Sequence, residues 1–63
     1  MNTHDQMAEQ FNLYLAENEK FEVKGVKASA ARARKALGEI GKLAKLRRAE
    51  IQAKKNGDAD GGE

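Results

Sequence analysis

From Thr3 to Lys55 no proline interrupts the chain, and helical periodicity lapses at one place, Lys24-Gly25. Glycine adopts the left-handed conformation that closes a helix without a Cβ clash. The spacing therefore predicts one helix over about residues 3–23 and a second over about 27–55, joined by a link of a few residues. Helices joined so briefly lie antiparallel. The expected fold is all-α, an antiparallel helical hairpin of two long helices, followed by a disordered acidic tail over 56–63, where NGDADGGE offers no apolar anchor.

The first helix has a start signal in Thr3-His4-Asp5-Gln6, which has the spacing of a capping box with Thr3 as cap. Met7, Phe11, Tyr14, Leu15, Asn18 and Phe21 then recur at three and four residues and mark one face, with Leu13 and Val23 off it. Val26 is placed to pack back on Phe21. In the second helix, Val26, Ala30, Ala33, Leu37, Ile40, Ala44 and Ile51 follow a 4-3 spacing, widened by Leu43 and interrupted by Arg47. This seam is expected to pair with the first helix. Gly38 and Gly41 each cost about 1 kcal/mol relative to alanine inside a helix, so a close helix crossing is expected there. The second helix is the longer, roughly 43 Å at about 1.5 Å per residue, and its last two turns should overhang.

A chain of 63 residues without cysteine has neither disulfide nor thiolate metal site to reinforce a small core. Self-association is the remaining source of stability, and a dimeric four-helix bundle is expected to bury Met7, Phe11, Tyr14, Leu15, Val26, Leu37, Ile40, Leu43 and Ile51. No stretch reads as a signal peptide or a membrane span, so the chain is expected to be cytoplasmic.

Charge is strongly segregated. Residues 1–23 hold one lysine and five acids, residues 24–55 hold eleven Lys or Arg and two acids, and residues 56–63 hold three acids. The basic segment comprises Lys24, Lys27, Arg32, Arg34, Lys35, Lys42, Lys45, Arg47, Arg48, Lys54 and Lys55. A helix carrying cations along one flank can lie against phosphates and release their counterions without reading bases. The predicted partner is duplex DNA, bound independently of sequence. A bilayer surface suits the helix poorly, because its apolar side is mostly alanine.

Catalysis finds no support in the sequence. His4 is the lone histidine, Thr3 and Ser29 have capping roles, and Gly38-Glu39-Ile40-Gly41 lacks the pattern of a phosphate loop. No cofactor, metal or small-molecule substrate is expected. Phe11, Tyr14 and Phe21 lie on the acidic helix, which favours a core role over base stacking.

At its basic segment the chain resembles the N-terminal helical region of the chlamydial-type linker-histone-like proteins. The shared pattern is K-G-x-K-A-x-A-x-R-x-R followed by K-x-x-K-x-x-R. It falls here on Lys24, Gly25, Lys27, Ala28, Ala30, Arg32 and Arg34, then on Lys42, Lys45 and Arg48. The resemblance spans residues 24–55 and implies a nucleoid-associated, histone-like role. It also implies a long Lys/Ala/Pro-rich tail, where this sequence has GDADGGE. That departure counts against strong compaction and leaves an alternative, a helical oligomerisation or interaction module whose basic helix docks on an acidic protein surface.

Overall fold

The computed structural model describes residues 1–57. Helix α1 runs Thr3–Lys24 and α2 runs Lys27–Gly57. The two pack antiparallel as a hairpin, and among the described residues there is no strand. Of the tail expected over 56–63, Asn56 and Gly57 are helical and the remainder lies outside the described residues.

The link is Gly25-Val26. Gly25 takes φ 70° and ψ 24°, the left-handed conformation, and its amide donates to the Phe21 carbonyl at 3.1 Å, while the Val26 amide returns to the Lys20 carbonyl at 3.1 Å. These bonds satisfy carbonyls that the end of a helix leaves without partners. So tight a link obliges α2 to double back along α1.

The start of α1 differs from the expected capping box. Asn2, not Thr3, is the cap: its side chain accepts from the Asp5 amide at 2.7 Å, and Gln6 Nε2 donates to the Met1 carbonyl at 3.0 Å. Asn caps at least as well as Thr, and the shift of one residue frees the Thr3 hydroxyl. That hydroxyl donates to the Glu50 carboxylate across the hairpin, and Thr3 is buried.

The seam between the helices also lies elsewhere than expected. On α1 it follows Thr3, Met7, Gln10, Tyr14 and Glu17; on α2 it follows Ser29, Ala33, Ala36, Ile40, Leu43, Arg47 and Glu50, each a strict 4-3 series of the least exposed residues. Ala33, Ile40 and Leu43 belong to the expected stripe. Val26, Leu37 and Ile51 do not face α1 and remain exposed, as do Phe11 and Leu15. Small side chains let the helix backbones approach, so the contact settles on Ser29, Ala33 and Ala36, about a quarter turn from the bulky stripe.

Among the described residues only Ala33 and Ala36 are buried apolar residues, Ala36 at 1% exposure. The bulk lies outside: Phe11 is 51% exposed and Leu37 49%. No atom comes within 4 Å of where a Cβ would stand on Gly38 or Gly41, so the crossing expected at the glycines is not made by α1.

Candidate nucleic-acid interface

Two parallel rods make a plate, 51 × 19 × 15 Å overall, and the helical period of about 100° per residue distributes its side chains over two broad faces and two long edges. The outer edge of α2, turned away from α1, carries Lys27, Arg34 and Lys45, flanked by Lys35 and Lys42 on one side and by Arg48 and Lys55 on the other. All seven are exposed. The outer edge of α1 carries Asp5, Glu9 and Glu19, also exposed. Basic and acidic charge thus leave the molecule in opposite directions.

The broad faces differ as well. One holds Met7, Phe11 and Leu15 from α1 beside Val26, Ala30, Leu37, Ala44 and Ile51 from α2, with the Phe11 and Tyr14 ring centroids 6.2 Å apart. The other holds a shallow groove of about 370 Å³ lined by Gln10, Leu13, Arg32, Lys35, Ala36 and Glu39. The first is mainly apolar and the second mixed.

Three of the eleven candidate cations are engaged within the hairpin. Arg32 Nη1 lies 3.6 Å from Glu17 Oε1, and Lys20, on α1, lies 3.8 Å from the other oxygen of the same carboxylate. Arg47 Nη1 lies 3.2 Å from Glu50 Oε1, and Lys42 Nζ lies 4.0 Å from Glu39 Oε2. The remaining eight, Lys24, Lys27, Arg34, Lys35, Lys45, Arg48, Lys54 and Lys55, form no ion pair among the described residues and are exposed. The basic edge is not consumed by the acids of α1.

Arg32 and Arg47 therefore belong to two polar joints that fix the hairpin. At the linked end, Glu17 is buried against Ser29, which is wholly inaccessible. Glu17 Oε1 and Ser29 Oγ make no well-formed hydrogen bond. The nearby Ser29 hydroxyl still holds the Glu17 carboxyl below its ordinary range, against the cost of burial and with help from the charges of Lys20 and Arg32. At the open end, the Thr3 hydroxyl and then Arg47 hold the Glu50 carboxyl low in the same way. Sequence reasoning missed both carboxylates as organising groups. Position in the 4-3 series with the small residues was the available signal.

Beyond Glu50, α2 continues alone from Ile51 to Gly57, with Lys54 and Lys55 exposed. Among the described residues no three His, Cys, Asp or Glu side chains cluster as a metal site, and no helix is long and apolar enough to cross a membrane.

Comparison with curated proteins and with solved structures returned no match. A family model described as Histone H1-like protein Hc1 matches residues 1–57, both helices of the hairpin and nine-tenths of the sequence. The all-helical hairpin with its basic outer edge thus belongs to the Hc1 family of histone H1-like proteins.

Proposed function

We propose that this protein is a nucleoid-associated, non-enzymatic architectural protein that binds duplex DNA without sequence selectivity, through phosphate contacts from the outer edge of α2. The observation that carries this reading is the one-sided array of Lys27, Arg34, Lys35, Lys45 and Arg48, exposed and free of ion pairs among the described residues, on a helix that belongs to a histone-like family. From Lys27 to Lys55 the edge extends roughly 42 Å at about 1.5 Å per residue, longer than the duplex turn of about 34 Å. Lysine and arginine at this spacing can neutralise phosphates without any contact to base edges. Lys24, Lys54 and Lys55 extend the array at its two ends, whereas Arg32 and Arg47 mainly hold the hairpin, and Lys42 is shared with Glu39.

The protein acts as a homo-oligomer, with the apolar broad face as its self-association surface. The bulky residues that the hairpin leaves in water support this reading.

Gel shifts over a salt series test the DNA reading. With eight cations outside any ion pair among the described residues, the slope of log K against log salt should approach about −7 per chain if each meets one phosphate, at roughly −0.9 per phosphate contact. Changing Lys27, Arg34 and Lys45 together to Gln should flatten it by about 2 to 3, equally for unrelated sequences. No complex at low salt, or an unchanged slope in the triple variant, would overturn the assignment.

A further inference from the structure

We propose that the apolar face pairs with a second copy so that α1 of one chain lies over α2 of the other, and that the resulting dimer bridges two DNA duplexes. This rests on the DNA reading above and goes beyond it in naming a crossed pairing and an activity that a single hairpin lacks.

Two plates can bring the same broad face together about a twofold axis in two ways. With the axis across the helices, α1 stacks on α1′ and α2 on α2′. With the axis along the helices, each α1 stacks on the partner's α2. Three observations favour the second.

The first is bulk. On this face α1 contributes Met7, Phe11 and Leu15 in succession, while α2 sets Leu37 between two small residues, Ala30 and Ala44, with Val26 and Ile51 beyond them. Large side chains fit over small ones, whereas like helices would set bulk on bulk at one side and leave a gap at the other.

The second is height. Thr3 meets Glu50, and Glu17 meets Arg32, which places Phe11 midway, at the level of about Leu37 to Gly41. An axis along the helices preserves height between copies, so Phe11 of one chain arrives over that same stretch of the other.

The third is charge. Helix α2 carries ten Lys or Arg and two acids, and α1 carries five acids and two lysines. Stacking like on like would gather two basic helices along one rim; the crossed arrangement sets an acidic helix beside a basic one on both rims.

The functional consequence follows from the geometry. In the crossed dimer the two α2 helices sit at diagonally opposite corners, and their basic edges point away from one another. One duplex cannot engage both edges, so each recruits its own.

Two measurements test this. The chain has no cysteine, so Leu15→Cys and Leu37→Cys variants each carry a single thiol. Mixed and oxidised, they should form predominantly the mixed disulfide, at severalfold the yield that either variant gives alone. Predominant self-coupling of either variant would overturn the crossed pairing, as would a monomer in sedimentation. In the second measurement, a biotin-tagged duplex on beads should retain a fluorescent second duplex when the wild-type protein is present. A Phe11→Glu, Leu15→Glu double variant should shift a single duplex in a gel and lose at least tenfold in that retention. Retention absent while wild-type protein still shifts one duplex would overturn bridging and leave the DNA reading intact. Absence of any gel shift would overturn both.

Discussion

The seam between the helices and the broad face beside it have exchanged the roles usual in a small protein. The seam, which is covered, contains Thr3, Gln10, Glu17, Ser29, Arg47 and Glu50 among its members; the face, which is open, contains Phe11, Leu15, Leu37 and Ile51. Burial of Ala33 and Ala36 contributes little apolar area. The hairpin's geometry is therefore set by polar joints and close backbone approach, and its bulky apolar residues remain largely exposed.

The sharpest way to break the seam is to overfill it. Ala36→Leu introduces three carbons where nothing is exposed and forces the helices apart, at about 1–3 kcal/mol, a large share of the roughly 3–5 kcal/mol that a core of this size supplies. The thermal midpoint followed by circular dichroism at 222 nm should fall steeply. An unchanged midpoint would mean that α1 and α2 do not pack through Ala36.

The face is tested by a change that the seam should not feel. Phe11→Ser removes an aromatic ring from the open side, so dilute protein should melt close to the parent. Concentrated parent should melt higher than dilute parent because association adds to its stability, and the variant should lose that rise. A parent midpoint independent of concentration would count against a self-association face.

Acid gives the smallest expected effect and probes the polar joints. Glu17 and Glu50 both titrate below the ordinary carboxylate value in the folded hairpin. The unfolded chain therefore takes up protons first as pH falls, and stability rises with pH in that range. Their contribution is complete above the unfolded carboxylate pKa of about 4.3 and is lost as pH drops through the lower folded values. The melting midpoint should be flat near neutrality and decline below about pH 4, and Glu17→Gln should reduce the decline. An equally steep decline in that variant would remove Glu17 from the account.

The hairpin itself was readable because its signals are local. Gly25 ends α1 by a backbone preference that no tertiary contact needs to supply, and the basic edge follows from residue spacing on a long helix. The pairing of faces was harder. Hydrophobic periodicity follows the bulkiest residues, Phe11, Leu15 and Leu37, but the helices meet through alanine and serine, where close approach counts for more than side-chain volume. The cap moved by one residue because Asn2 and Thr3 are chemically interchangeable there, and only the distant Glu50 decides between them. Spacing set Arg47 within the seam of α2 and apart from Arg48, but it did not tell Arg32 from Arg34. What separates those two is the carboxylate that Arg32 meets, which comes from the other helix.

The two-residue link at Gly25-Val26 bears on how fast this protein assembles. Contacts next to the link close almost no loop, and each further pair extends a zipper whose end is the Thr3 to Glu50 bond, 47 residues apart in sequence. Helical hairpins dominated by such near contacts fold in microseconds to milliseconds. By loop closure alone, the joint at Glu17 costs less to form than the joint at Thr3. Formation of a single hairpin therefore sets no slow step for whatever encounter follows it.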